Sequence, residues 1–337
     1  MADRTHPWLR GSATGLGPFP GTDPLAAARV VFDELPQLPF LPELPARGPG
    51  SDAIGRTAAL FVDLFVDLRP SGWRFVPHPG VDLARARVAL VSDLDALEEV
   101  AEGYDGALKI QVVGPWTMAG SVELHRGEKA LADEGAVRDL VESLAEGVSA
   151  HVADVRRRLP LVGDLVVQVD EPLLPTVLAG DVPTQSGWGR LRVVEEPVAE
   201  EALRRLLTAA GPAAGVRTGA TPPPVALLRR AGARFVSVDA ALLASMPDDD
   251  LGEALESGIG LLVAAMPLGR PTHPRVAAQP LRRLWQRLGL NLEELARAVA
   301  VTPDDGLEQL SPEAAGSALR QTAELARFLE EKAMEES

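Results

Sequence analysis

The chain has 337 residues, with 33 basic and 48 acidic side chains, a formal net charge of −15 and no cysteine. Such acidity argues against nucleic acid, whose phosphates need a basic face. The missing cysteine removes disulfides, thiolate nucleophiles, iron–sulfur clusters and thiolate zinc sites. At 46% hydrophobic and 24% charged residues the composition is that of a globular protein with a large core. The first ten residues hold no apolar run, and nowhere do eighteen apolar residues follow one another. A chain without leader or membrane span, placed in the cytoplasm, is the expectation.

Taken in order, residues 1–12 read as an N-terminal arm. Ala13 to Gly17 then forms a short apolar run, closed by Pro18-Phe19-Pro20-Gly21. Asp23 sits as an N-cap before a helix over Leu25 to Leu35, with Pro24 at its first position. The Pro-rich stretch 35–50 reads as a long loop with little regular structure. Helical patterning is expected over Asp52 to Leu68 and again over Asp93 to Tyr104. Strands are predicted at Leu108–Val113, Asp164–Val169, Gly215–Val216, Arg234–Val238, Leu261–Ala265 and Ala298–Val301. Between them the pattern predicts helices at Gly135–Arg158, Pro197–Ala210, Pro224–Ala231, Asp249–Ser257, Gln279–Arg287, Asn291–Ala298 and Pro312–Glu335. A second long loop spans 180–196, and the charged tail from Glu330 to Ser337 is expected to fray.

Strands alternating with helices over one uninterrupted chain fit a single (β/α)8 TIM barrel, residues 1–337. A doubly wound sheet is the other option, but no G-x-G-x-x-G follows any strand. In barrels the chemistry gathers at the carboxyl ends of strands. Here those ends carry Gly17 to Gly21, Gly114-Pro115, Asp170-Glu171, Arg217-Thr218, Asp239 and Asp304-Asp305. Converging acids with one arginine would make a pocket for a zwitterionic or cationic small molecule. Alternatively, acids after strands simply cap the next helix, and Asp305-Gly306 is ordinary turn chemistry. Lys109 and Gln111 share one strand face. Lys109 either needs a buried carboxylate partner or reaches solvent. The histidines, His6, His78, His125, His151 and His273, show no metal-ligand spacing. His151 reads as a surface or interhelix residue, and Trp116 either lines a pocket or packs.

Four motifs fall in one order: Gly17-Pro18-Phe19-Pro20-Gly21-Thr22-Asp23, Lys109-Ile110-Gln111-Val112-Val113-Gly114-Pro115, Gln168-Val169-Asp170-Glu171-Pro172 and Thr302-Pro303-Asp304-Asp305-Gly306-Leu307. Together they resemble the catalytic barrel of cobalamin-independent methionine synthase, in a short single-barrel form within the uroporphyrinogen decarboxylase-like fold. The likeness runs from about residue 13 onward. It implies methyl transfer from methyltetrahydrofolate to homocysteine, whose thiol a zinc ion holds as thiolate. Carried over residue by residue, the family's His-x-Cys ligands fall on Arg217 and Gly219, its glutamate on Asp239 and its second cysteine on Asp305. No ligand identity is kept, so no metal is expected. In the family's Gly-Ser-Phe-Pro turn the serine position is Pro18, which offers neither hydroxyl nor N–H.

Asp170 matches the family aspartate that binds the substrate amine. A substrate site is expected at Asp170, Glu171, Arg217, Gly17 and Gly114. In it Asp170 takes an amine and Arg217 an anion, while Asp239 and Asp305 orient the arginine. Three readings follow: a divergent metal-free methyltransferase-like barrel for an amino-acid-like small molecule, a thiol methyltransferase with methyltetrahydrofolate as co-substrate, or a non-catalytic protein with a protein partner.

Overall fold

The computed structural model describes residues 6–335. The two ends, residues 1–5 and 336–337, lie outside the described residues, and with them part of the expected arm and tail. An antiparallel hairpin, β1 (Phe65–Arg69) and β2 (Gly72–Val76), stands apart from the main sheet. That sheet has six parallel strands in sequence order: β3 (Leu108–Val113), β4 (Leu165–Asp170), β5 (Ala214–Arg217), β6 (Phe235–Asp239), β7 (Gly260–Met266) and β8 (Val299–Pro303). All six are apolar runs followed by helices, which is why they pair in parallel and lie buried on both faces.

The curled sheet does not stop at its edges. Outside β8, Ala13 bridges Val301, with Thr14 N–H donating to the Val301 carbonyl at 3.0 Å. Outside β3, Phe40 bridges Lys109, and Leu41 N–H donates to the Lys109 carbonyl at 2.9 Å. The two added segments meet through Pro18 and Glu43, where Phe19 N–H reaches the Glu43 carbonyl at 2.8 Å. The row of pairings therefore returns to where it began.

Alternation sorts the strand residues onto two faces. Leu108, Ile110, Val112, Leu165, Val167 and Val169 join the helix-facing core. On the inner face Trp8, Leu38, Val166, Phe235, Leu262 and Ala300 form a separate apolar plug at the amino end. Trp8 packs edge-on against Phe235 with ring centroids 5.3 Å apart. Residues 6–12 are thus tied into the sheet rather than forming a free arm.

Several elements differ from expectation. The helix predicted over Asp52 to Leu68 is only Ala53–Ala58. Asp63 adopts φ 57, ending any helical path, and the aromatic and β-branched residues beyond it pair as the hairpin, turning at Gly72 with φ 134. The helix expected from Asp93 begins earlier and spans Val81–Val100, with Asp82 in its first turn. The stretch 35–50 has little regular structure, as expected, yet Leu38, Phe40, Leu41 and Leu44 in it are buried. Prolines 36, 39, 42 and 45 remove the N–H groups that would have made a continuous ladder, leaving single bridges. Stretch 180–196 is irregular, but Pro183 and Arg190 bridge as a tight hairpin that leaves Trp188 95% exposed. The last helix, Pro312–Glu335, keeps its form through Glu330 into the tail. No helix among the described residues is long and apolar enough to cross a membrane.

Candidate functional site

The inner face above the apolar plug is polar, and its side chains are linked. At one end, the carboxylate of Asp93 on the helix Val81–Val100 pairs with Arg56 and with Arg47, the latter at 2.7 Å. Arg56 lies 3.8 Å from Glu43, and Gln111 Nε2 donates to Glu43 at 3.1 Å. Lys109 Nζ donates to the amide oxygens of Gln111 (3.2 Å) and Gln168 (3.1 Å). Gln168 Nε2 donates to Asp170 at 2.9 Å. Arg217 then bridges Asp170 at 3.5 Å and Asp305 at 2.6 Å. The chain of contacts runs from an outer helix, across the inner face, to the carboxyl ends of β4 and β5.

Its members hold one another's charge. Lys109 is fully buried. Burial lowers its pKa to about 8, against the pull of Asp170 and Glu43. Its nitrogen lies 5.7 Å from the Phe40 ring, a cation–π contact. It does not reach solvent, and its direct partners are two glutamine oxygens, with the carboxylates one step away. Burial raises the pKa of Asp170 and of Glu43, in each case opposed by an arginine, Arg217 and Arg56 respectively. For Arg217, burial alone would lower the pKa, but Asp170 and then Asp305 outweigh it and raise it.

Arg217, Gly219, Asp239 and Asp305 do meet, around one cavity of about 50 Å³. Asp305 holds the arginine as expected. Asp239 does not: its Oδ1 accepts from Ala241 N–H at 2.8 Å, and Asp170 takes its place on the guanidinium. Among the described residues, no group of three or more His, Asp or Glu side chains is placed to hold a metal ion.

Glu171 is turned away from this cavity. Its oxygens accept from Trp116 N–H at 2.9 Å and from Thr117 N–H and Oγ1, each at 2.7 Å. It satisfies the amino end of the helix Pro115–Ser121, which Gly114 precedes. Burial pushes its carboxyl up to about 7 against these donors. Gly114 serves the same contact, since a Cβ there would lie 2.3 Å from Glu171 Oε1. Gly17, at φ 134, lies against Gln111, which a Cβ would approach to 2.9 Å. Trp116 is wholly buried and packs, its Nε1 donating to the Ala199 carbonyl at 3.2 Å. His151 is buried, and burial lowers its pKa to about 4.

Glu43, Arg56, Asp93 and Gln168 escaped the sequence reading. Two of them left a trace: Glu43 as a lone acid within the apolar run Phe40-Leu41-Pro42-Glu43-Leu44, and Gln168 inside a quoted motif, two residues before Asp170.

Asp304 is half-buried beside the cavity. Burial, then Asp239 and Asp305, raise its carboxyl to about 6. Because the folded pKa lies above the unfolded one, its contribution is fully present below about pH 4 and lost as pH rises through about 6. Asp304→Asn is therefore expected to raise Tm on the order of 2 °C at pH 8 and to leave it unchanged at pH 4. Thermal scans at both values check this, and a loss at pH 8 would contradict it.

The sequence profile described as "Cobalamin-independent synthase, Catalytic domain" matches residues 12–205. No curated protein matches the chain. Among solved structures, a B12-independent methionine synthase from Shewanella sp. W3-18-1, in complex with selenomethionine, is 13% identical, with a TM-score of 0.49 over 72% of this chain and 67% of that one. A D-psicose 3-epimerase solved with D-fructose is 11% identical, with a TM-score of 0.41 over 71% and 84%. An endo-1,4-beta-D-xylanase module pair from Clostridium thermocellum is 9% identical, with a TM-score of 0.39 over 96% and 68%.

Proposed function

The chain belongs to the cobalamin-independent synthase catalytic-domain family, and we propose that it is a zinc-free, methyltransferase-like barrel that binds an amino-acid-like small molecule. The segments bridged at Ala13 and Phe40 are, on this reading, the first two strands of an eight-stranded barrel. The whole chain is then one domain.

One observation carries the proposal. Arg217, only 14% exposed at its side chain, is held between Asp170 and Asp305, at the position onto which the resemblance carries the family's first zinc ligand. A guanidinium is a permanent cation with five N–H donors and no lone pair for a metal. Gly219 offers no side chain, and the Asp305 and Asp239 carboxylates already accept from Arg217 and Ala241. We read this donor set as unfit for zinc. Arg217 has instead N–H groups beyond those given to Asp170 and Asp305, and these suit a ligand carboxylate.

The cation lining this cavity, Arg217, is already offset by Asp170 and Asp305, so on this reading nothing there holds a thiol as thiolate near neutrality. Methyl transfer from methyltetrahydrofolate to homocysteine is expected to give no methionine above background. Calorimetric titration with α-amino acids is expected to show binding that weakens tenfold or more in Arg217→Gln. Unchanged affinity in that variant would overturn the role given to Arg217.

A further inference from the structure

Lys109 stands apart within the polar chain. Arg47, Arg56, Lys109 and Arg217 balance Asp93, Glu43, Asp170 and Asp305, four cations to four anions. Each of the arginines contacts a carboxylate directly. Lys109 does not: both hydrogen bonds of its Nζ go to amide oxygens, and Glu43 and Asp170 lie on the far side of those two amides.

That difference decides which charge can leave. An arginine keeps its proton at every accessible pH, and a carboxylate that took one up would weaken its pairing with an arginine. An ammonium has three N–H donors and a neutral amine has two, and two suffice for the glutamine oxygens. Lys109 can therefore release its proton and keep both hydrogen bonds. Burial brings the release into reach by lowering the pKa to about 8, with Asp170 and Glu43 opposing and Arg217 adding to it.

The cavity beside Arg217 lies a short way from this amine. The path runs from Lys109 to Gln168 (3.1 Å), Asp170 (2.9 Å) and Arg217 (3.5 Å). Gln168 also donates to the carbonyl of Leu16 at 2.8 Å, and Leu16 lines the cavity with Arg217. An anion entering there meets Arg217, but also Asp239 and Asp305 on the wall and Asp304 beside them. It adds a negative charge to a chain that is neutral only while Lys109 is protonated, and charges in a poorly solvated interior act strongly on one another.

We propose that an anionic ligand at Arg217 binds together with a proton on Lys109, so that Lys109, without touching the ligand, sets the preference of the site for negative charge. This rests on the reading that Arg217 takes a ligand carboxylate. Linkage makes the effect reciprocal: the proton strengthens anion binding by the factor by which the anion strengthens proton binding. Affinity is therefore full while the free lysine is protonated, and falls as pH rises through about 8. Among the other groups nearby, Glu171 titrates at about 7, Asp304 at about 6 and His151 at about 4. Glu43 and Asp170, both raised by burial, face Lys109 across the glutamines and are the rival seats for the proton.

Hexanoate, whose carboxylate does not titrate above pH 7, is the probe. Calorimetric titration of the 337-residue chain at pH 8.5, in two buffers of different protonation enthalpy, is expected to show uptake of about half a proton per hexanoate bound. Affinity should be about sevenfold weaker at pH 10 than at pH 7.5. The sequence has three lysines, Lys109, Lys129 and Lys332. Replacing the latter two by arginine leaves Lys109 as the single lysine signal in a carbon NMR titration. Its midpoint is expected near 8 in the free protein and about one pH unit higher with hexanoate bound. In Lys109→Met the proton uptake should vanish, and hexanoate should bind about sevenfold more weakly at pH 7.5 with no further loss up to pH 10. The NMR titration leaves Lys109 in place, so it decides the matter whether or not Lys109→Met folds. Hexanoate binding that leaves the lysine midpoint unmoved would overturn the proposal and leave the carboxylate role of Arg217 standing. Proton uptake that persists in Lys109→Met would place the proton on Glu43 or Asp170 and overturn it as well. Failure of hexanoate to bind at any of these pH values would overturn the reading of Arg217 and the proposal with it.

Discussion

Arg217→Ala is expected to destabilise the protein by about 2–3 kcal/mol near neutral pH, and by less under acid. Removing one partner of a buried ion pair strands the other, typically at 3–5 kcal/mol. The lower figure allows for Asp305, which is 68% exposed and can turn to water, so only Asp170 bears the full loss. Asp170 already has a raised pKa from burial, with Arg217 the main opposing influence. Without the guanidinium that pKa rises further. A carboxyl whose folded pKa lies above its unfolded value is most favourable when protonated, and loses stability as pH rises through the folded pKa. The gap in Tm between wild type and Arg217→Ala should therefore widen from pH 5 to pH 8. A gap independent of pH would mean that Asp170 does not depend on Arg217 for its charge.

At the other end of the polar chain, Asp93→Ala is expected to cost about 3–5 kcal/mol. Asp93 is 2% exposed and Arg56 is 4% exposed, and Arg47 shares the same carboxylate. Alanine would leave two guanidinium groups facing each other with Glu43 as the nearest remaining acid, 3.8 Å from Arg56. The helices Ala53–Ala58 and Val81–Val100 meet at this pair, so the loss should appear as a lower urea midpoint for the whole chain. Asp93→Asn, which keeps shape but not charge, should recover only part. Urea titrations of both variants check this, and a cost for Asp93→Ala below about 1 kcal/mol would place the pair in the class of exposed ion pairs.

Most of the sheet could be read from the sequence because its strands are apolar runs that end at polar or turn residues. Leu108–Val113 matches its observed strand, and the others fall within one or two residues. The same logic picked out Asp170, Arg217, Asp239 and Asp305, since inner-face residues at strand ends converge whenever parallel strands curl. What the sequence hid has two causes. Contacts between distant segments, such as Asp93 with Arg56, leave no local pattern. In addition, residue type does not tell direction: Asp170 and Glu171 are neighbours, yet alternation sends Asp170 to Arg217 and Glu171 to the amino end of a helix. The hairpin Phe65–Val76 was legible in its aromatic and β-branched residues, but a helical period through Asp52 to Leu68 competed with it.

On the proposed reading, an arginine occupies the cationic position of this site and the protein holds no zinc. Elemental mass spectrometry of the untagged 337-residue chain, purified after growth in zinc-supplemented medium, is the direct test. Well under one zinc per chain is expected after dialysis against a chelator. About one zinc per chain that survives dialysis would contradict it, and would place the metal on residues other than the Arg217 cluster.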